Sequence, residues 1–142
     1  MFISVSKVFF QRNSVWRPLI GPNDDWPLAL CDYTSIDTEH DITVADLLHV
    51  NRVGENQLLY RNEQHKWYFI EGQQLDDLMV FRNVDSTGRR ASKHRDYSLN
   101  IYEKRIIFAD LVLAEAFHCA FFNPHSQSVP RHSCEVRFVA FR

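Results

Sequence analysis

Short apolar runs separated by turn-forming residues fill about the first eighty positions of the chain. The run SVWRPLI (14–20) leads directly into Gly21-Pro22-Asn23-Asp24, a strong turn sequence because glycine tolerates positive φ and proline presets its own φ. The run VSKVFF (5–10) ends at the polar residues 11–13, and PLALCDYTSI (27–36) follows the turn. Runs of this length, bounded in this way, predict β-strands, so we expect a mainly β protein.

Three later segments continue the β pattern. In NQLLYRNEQHKWYFIEG (56–72) a polar break at 61–65 separates an apolar from an aromatic stretch, which predicts a β-hairpin with a longer loop. DDLMVFRNVDS (76–86) and SCEVRFVAF (133–141) each predict a strand. The alternation of the last strand divides its side chains between two faces: Ser133, Glu135 and Arg137 on one, Cys134, Val136 and Phe138 on the other.

Two stretches have helical character instead. DITVADLLHV (41–50) spaces its apolar residues in a helical or mixed way, and DYSLNIYEKRIIFADLVLAEAF (96–117) repeats them at intervals of three and four. We therefore expect one or two helices beside the strands. Four basic residues within 89–95 predict a solvated loop between these elements.

The composition excludes several classes of protein. A chain of 142 residues is long enough for one domain, and its net charge of -2 lacks the basic surface that nucleic acids require. Cys31, Cys119 and Cys134 fit neither a disulfide framework nor a CxxC zinc site, so we expect reduced thiols in a cytoplasmic protein. The longest apolar tract, 106–122, carries charged residues and falls short of a membrane-spanning helix. We expect neither nucleic acid nor membrane as a partner.

Four segments, 15–37, 54–91, 117–124 and 130–141, carry a resemblance to a known family. Their motifs WRPL, PLALCD, HKWYF, FRNVDS, HCAF and R-x-S-x-E-V-R appear in the order found in the C-terminal half of the AsaB-like fungal hydroxylase/desaturase proteins. That family includes relatives of the cephem-methoxylase subunit and is similar to Fe(II)/2-oxoglutarate oxygenases. The resemblance implies that residues 1–142 form one domain, a partial double-stranded β-helix of the jelly-roll or cupin-like kind.

The resemblance also assigns roles to three residues. His118, in the HCAF block, would be an iron ligand, and Arg131 with Ser133 would hold the far carboxylate of 2-oxoglutarate. These residue types suit the task, because a guanidinium binds a carboxylate bidentately and a hydroxyl adds one donor. Arg137 is a weaker candidate for the same carboxylate. Two histidines and one carboxylate complete the iron site in such enzymes and leave positions open for the co-substrate and oxygen.

Two differences from the family pattern bear on activity. The family's H-x-D pair, which supplies the other two iron ligands, lies upstream of the WRPL block, where this chain has no histidine. We therefore expect the chain to contain no H-x-D pair and to lack these ligands. Residues 92–116 separate two blocks that are almost adjacent in the family, so they form an atypical insertion of the kind a translated retained intron would produce.

Two functions therefore stay open. The first is an Fe(II)- and 2-oxoglutarate-dependent hydroxylase or desaturase that acts on a small apolar metabolite, such as a terpenoid or polyketide. The second is a truncated, inactive remnant or a noncatalytic binding or structural subunit.

Each candidate residue also has a simpler interpretation. His118 could be an ordinary half-buried histidine, and Arg131 with Ser133 could be a strand start with a surface ion pair. Tyr60, Trp67, Tyr68 and Phe69 could line an apolar pocket, but sheet cores use such side chains routinely, so we expect them in the core. A zinc site built from His118, His125 and His132 matches no common spacing.

Overall fold

The computed structural model describes residues 9–86, 97–101, 104–109 and 116–141. These residues form three sheets and one short 3-10 helix (Tyr33–Ser35). The strands within them are β1 (Phe10–Pro18), β2 (Leu28–Cys31), β3 (Ile42–His49), β4 (Arg52–Leu59), β5 (Trp67–Phe69), β6 (Leu78–Asp85), β7 (Tyr97–Ile101), β8 (Lys104–Ala109), β9 (His118–Ala120) and β10 (Ser133–Phe141). The prediction of a mainly β protein is confirmed.

The larger sheet has the order β10-β1-β6-β8-β7, and β1 pairs antiparallel with both β10 and β6. Alternate residues of β1, Ser14, Trp16 and Pro18, are buried, as expected of a strand with one face against the core. Met79 and Phe81 of β6 lie opposite Trp16 and Ser14, so they share this inner face. We call it the inner face of the large sheet.

The second sheet has the order β5-β2-β9. All four residues of its central strand β2, LALC, are buried, and this explains its continuous apolar sequence. The side chains of the two sheets meet in one core cluster, formed by Trp16, Leu28, Leu30, Met79, Phe81 and Ala116. The core thus lies between the inner face of the large sheet and β2.

Both helix predictions are wrong. The stretch 41–50 forms β3, which pairs with β4 along its whole length. Within 96–117 the structure places β7 and β8, and β8 pairs in parallel with β6. Positions 96, 102–103 and 110–115 of this stretch lie outside the described residues. Local helix propensity is a weak preference, and pairing with a neighbouring strand overrides it. That 92–116 is an insertion stays a prediction.

The predicted hairpin over 56–72 is wrong as well. Strand β4 pairs with β3, whereas β5 pairs with β2, so the loop 60–66 crosses from one sheet to another. Asp41 holds this loop, since its carboxylate accepts hydrogen bonds from Asn62 Nδ2 at 3.0 Å and His65 Nε2 at 2.8 Å. The side chain of His65 is only 1% exposed.

Two further predictions concern the first residues and the basic loop. The predicted break at 11–13 is absent, because β1 runs through it with an irregularity between Arg12 and Asn13. Most of the predicted strand 5–10 and the predicted loop 89–95 lie outside the described residues. In the part of the chain that the structure describes, no helix is long and apolar enough to cross a membrane.

Candidate functional site

Three residues of the R-x-S-x-E-V-R motif lie on the inner face of the large sheet. The register of β1 with β10 sets Pro18 opposite Ser133, Trp16 opposite Glu135 and Ser14 opposite Arg137. Directly opposed residues of an antiparallel pair share a face, and the β1 members of these pairs are buried. The alternation in the sequence therefore directs the polar side chains of this motif toward the core side.

A hydrogen-bonded network joins Glu135 and Arg137 to Ser14 and Asn83. Ser14 Oγ donates to Glu135 Oε1 at 2.6 Å, and Arg137 Nε donates to the same oxygen at 2.7 Å. Asn83 Nδ2 in turn donates to Ser14 Oγ at 2.6 Å. Ser14 is completely buried, so its hydroxyl depends on these two partners.

The network keeps Glu135 ionised. Partial burial raises the pKa of this carboxyl. The hydrogen bonds from Arg137 and Ser14, together with the charges of Arg137 and His118, outweigh burial and leave the pKa below its ordinary value. Ser14, Asn83 and Glu135 were not singled out from the sequence as a group. Glu135 could have been found, because it follows Ser133 at a spacing of two on the same strand face.

His118 begins β9, opposite the buried Leu30. Its Nδ1 donates to the carbonyl oxygen of Ala116 at 2.6 Å, and its ring packs 4.9 Å from that of Phe81. A carbonyl only accepts, so Nδ1 carries the proton and, in the neutral imidazole, Nε2 keeps its lone pair. Metal-binding histidines commonly have this arrangement, because a hydrogen bond from the other ring nitrogen fixes the tautomer and the ring orientation.

Arg131 lies just before β10 at the edge of the inner face. Its backbone N–H donates to Asp25 Oδ2 at 2.9 Å, and its guanidinium donates to the carbonyl oxygen of Trp26 at 2.5 Å. The guanidinium carbon also lies 5.9 Å from the centre of the Trp16 ring, within the range of a cation–π contact. The bond to Trp26 uses one of the five guanidinium donors of Arg131. Ser133 follows two residues later in the chain and lies opposite Pro18.

The core connects these candidates. Arg131 lies over Trp16, and Trp16 shares the core cluster with Phe81, which contacts His118. His118 and Arg131 are therefore set against the same small group of buried aromatic side chains. The two residues belong to different sheets, since His118 is on β9 and Arg131 lies just before β10.

The described residues supply only part of an iron site. Among them, no group of three or more His, Cys, Asp or Glu side chains is placed to hold a metal ion. His118 fits the role of one ligand, but the described residues do not fit a complete facial triad. The expectation that the chain has no H-x-D is wrong in one respect: His94-Arg95-Asp96 has this spacing, downstream of the WRPL block and outside the described residues.

The prediction that the aromatic residues of β4 and β5 belong to the core is wrong. Tyr60, Trp67, Tyr68 and Phe69 are 60%, 40%, 53% and 44% exposed. Strand β5 lies at the edge of its sheet and has β2 as its neighbour, and the described chain covers its side chains only in part. Phe69 packs edge-on against Phe121 at 5.0 Å, which extends the aromatic surface toward β9.

All three cysteines are free thiols. Cys31 is buried, and its burial raises the pKa of the thiol to about 11. The charges of Asp32 and Asp41 also raise this pKa, whereas the hydrogen bond with Ser35 lowers it. A thiol in this state is a poor nucleophile. Cys119 and Cys134 are exposed.

These features define a class: a β domain of two packed sheets that carries a histidine and an arginine against one group of buried aromatic side chains. Residues 5–141 match the family model described as the Oxidoreductase/YMDC permease-like domain, and the chain belongs to this family.

Individual relatives specify the class further. The chain is 31% identical over 133 residues to aspirochlorine biosynthesis protein N of Aspergillus oryzae, a match that covers 90% of this chain and 46% of the relative. It is 29% identical to the Fe(II)/2-oxoglutarate-dependent dioxygenase nvfI of Aspergillus novofumigatus, with coverage of 93% and 41%. A gibberellin cluster GA4 desaturase of Gibberella fujikuroi is 24% identical, with coverage of 90% and 33%.

A solved structure agrees with these relatives. The iron and alpha-ketoglutarate-dependent endoperoxidase NvfI superposes with a TM-score of 0.64 at 29% identity, covering 94% of this chain and 42% of that one. Two of these matches, the dioxygenase nvfI and the NvfI structure, are thus described as dependent on iron and 2-oxoglutarate, and the predicted partial jelly roll is confirmed. The chain spans under half the length of the curated relatives it matches.

Proposed function

We propose that this chain contributes the distal-histidine and co-substrate side of an Fe(II)/2-oxoglutarate-dependent oxidoreductase of fungal secondary metabolism. The reaction is hydroxylation or desaturation of a small apolar metabolite of the terpenoid or polyketide class. The observation that carries this proposal is the geometry of His118, whose Nδ1 is bound by the Ala116 carbonyl oxygen so that Nε2 is left as the coordinating atom.

In this proposal Arg131 and Ser133 bind the far carboxylate of 2-oxoglutarate. Arg131 is already oriented by the Trp26 carbonyl oxygen and the Trp16 ring, so little side-chain freedom is lost on binding. The planar guanidinium can engage a carboxylate through two donors, which a lysine could not do. Ser133 adds a hydroxyl donor from the same end of β10.

The exposed aromatic surface supports an apolar substrate. Trp67, Tyr68 and Phe69 project from β5, and Phe69 contacts Phe121 just after β9, the strand that carries His118. Aromatic side chains that are exposed in a group are typical of binding surfaces. We place the protein in the cytoplasm on the basis of its cysteine pattern.

A second candidate function is a noncatalytic binding or structural subunit. The observation that favours it is the incomplete ligand set, since no group of three or more His, Cys, Asp or Glu side chains among the described residues could hold a metal ion. Such a protein would keep the apolar surface of β5 and the carboxylate-binding pair but would not turn over substrate.

An anaerobic Fe(II) titration with 2-oxoglutarate tests the proposal, with the visible charge-transfer band of the chelate as the signal. We expect a stoichiometric band. Arg131→Ala should lower the affinity for 2-oxoglutarate, read from the band, by about 10- to 100-fold. Arg12→Ala, on an exposed part of β1, should leave this affinity unchanged. His118→Ala should abolish the band.

Two further results would discriminate the alternatives. Loss of the band in His94→Ala would assign the remaining ligands to the H-x-D of residues 94–96, a pair that the structure does not describe. No band at all from a folded wild-type chain would favour the noncatalytic function.

A further inference from the structure

The connection between β9 and β10, residues 121–132, joins the two parts of the candidate site. His118 lies on β9 just before this connection, and Arg131 lies near its end. Three consecutive residues of the turn between β1 and β2, at positions 24–26, contact the connection at several points along its length. We call these three residues the clamp turn.

The first residue of the clamp turn holds the middle of the connection. The backbone N–H of Asp24 donates to Ser128 Oγ at 3.0 Å, and its carbonyl oxygen accepts from Asn123 Nδ2 at 3.3 Å. The Asp24 carboxylate accepts from the backbone N–H of Gly72 at 2.6 Å. The clamp turn is therefore anchored both on the connection and on the loop that follows β5.

The next two residues hold both ends of Arg131. Asp25 Oδ2 accepts from the backbone N–H of Arg131 at 2.9 Å, and the Trp26 carbonyl oxygen accepts from its guanidinium Nη1 at 2.5 Å. An arginine side chain has several rotatable bonds, so one contact at its backbone end would not define where the guanidinium lies. Two contacts from adjacent residues define the backbone and the guanidinium together.

The backbone of Trp26 adopts a conformation that its sequence disfavours. Its φ is +45°, in the left-handed region where a bulky side chain is rare. The next residue is Pro27, and a residue that precedes proline prefers an extended backbone. Because rotation about N–Cα moves the carbonyl group, an extended Trp26 would direct its oxygen away from Arg131. Disfavoured conformations persist where surrounding contacts impose them, and they cluster at functional sites.

The groups that hold the guanidinium of Arg131 are neutral. They are the carbonyl group of Trp26 and the ring of Trp16. The guanidinium of Arg137, by contrast, bonds the Glu135 carboxylate at 2.7 Å and is paired with its charge. A neutral acceptor can hold a guanidinium in place and still leave its charge available to a bound anion, whereas a carboxylate would compete with that anion.

We propose that Asp25 and Trp26 are positioning residues for 2-oxoglutarate, which act by holding the guanidinium of Arg131 where the far carboxylate binds. This inference rests on the proposed role of Arg131 as the anchor of the co-substrate. Ordering a long side chain during binding lowers affinity, so a guanidinium that is ordered beforehand binds the carboxylate more tightly. Asp24 extends the effect, because it holds the clamp turn against the connection that begins after the strand of His118.

Two substitutions of Trp26 separate the effect of its backbone from that of its ring. Trp26→Asn and Trp26→Val both remove the ring, but asparagine tolerates a positive φ and valine does not. In the anaerobic Fe(II) titration, Trp26→Val should lower the affinity for 2-oxoglutarate by about 3- to 10-fold, and Trp26→Asn should change it by less than about twofold. Asp25→Ala should lower this affinity, and Asp25→Asn, which keeps an acceptor oxygen, should not.

A double-mutant cycle shows whether the clamp turn acts through Arg131. In an Arg131→Ala chain, Trp26→Val should cause no further loss of affinity for 2-oxoglutarate, because the group that it positions is absent. A further loss in that chain would indicate a general structural effect and would overturn the proposal. An affinity that Trp26→Val leaves unchanged in the otherwise wild-type chain would overturn it as well.

NMR of the chain labelled with 15N-arginine tests the clamp turn without any co-substrate. The guanidinium signals of Arg131 are those that disappear in Arg131→Lys. We expect resolved Nη signals in the wild type and in Trp26→Asn, because the bond to the carbonyl oxygen slows rotation of the guanidinium, and merged signals in Trp26→Val. Signals that stay resolved in Trp26→Val would overturn the proposal. If the signals merge as expected but no 2-oxoglutarate binds to the wild type, the clamp turn holds Arg131 and the proposed co-substrate role is what fails.

Discussion

The substitution Ser14→Ala tests whether the buried network holds β1, β6 and β10 together. The hydroxyl of Ser14 is completely buried, donates to the Glu135 carboxylate at 2.6 Å and accepts from Asn83 at 2.6 Å. A hydrogen bond to a charged group contributes about 1.5–3 kcal/mol and a neutral one about 0.5–1.5 kcal/mol. Because Asn83 is only partly buried and can bond to water instead, we expect a net loss of about 2–3 kcal/mol in the free energy of unfolding.

Urea unfolding at one fixed protein concentration measures this loss as a lower midpoint at unchanged slope. Ser86→Ala is the matched control, since Ser86 is exposed and accepts one bond from the backbone N–H of Phe10. It should change the free energy of unfolding by no more than about 0.5 kcal/mol. If the two substitutions cost the same, the buried network does not stabilise the sheet and the reasoning fails.

Three further predictions concern the core, the loop anchor and the thiols. Phe81→Ala should lower the free energy of unfolding by about 3–5 kcal/mol in the same urea assay, because Phe81 is 1% exposed at the centre of the core. Hydrogen bonds from Asn62 and His65 lower the pKa of Asp41 from 3.8 to about 2. These bonds therefore stabilise the folded chain above pH 3.8, and this stabilisation is lost as the pH falls toward 2. The difference in unfolding free energy between the wild type and Asn62→Ala should therefore shrink over that interval, and a constant difference would contradict this assignment. In the folded chain a thiol reagent at mildly alkaline pH should modify the exposed Cys119 and Cys134 but not Cys31, as mass spectrometry of the labelled peptides would show.

Sequence reasoning identified β1, β2, β6 and β10 as strands. A local pattern of apolar residues and turns reveals the run around Trp16, the LALC run of β2 and the strand LMVFRNVD. It failed at β3 and at β7 with β8, where the residues suit a helix locally and pairing with other strands decides the outcome. It failed again at the hairpin, because Asp41 is distant in sequence from the loop that it holds.

The candidate site, like the fold, could be predicted from the sequence only in part. His118, Arg131 and Ser133 could be proposed from motifs, and these roles stay predictions. Trp26 and Trp16, which orient Arg131, could not be found from spacing, because they lie on segments distant in sequence. Ala116 is only two residues from His118, but its role depends on the direction of its carbonyl group, which the motif does not reveal. Exposure of the β5 aromatics was also missed, since a strand's apolar sequence does not reveal whether another layer covers it.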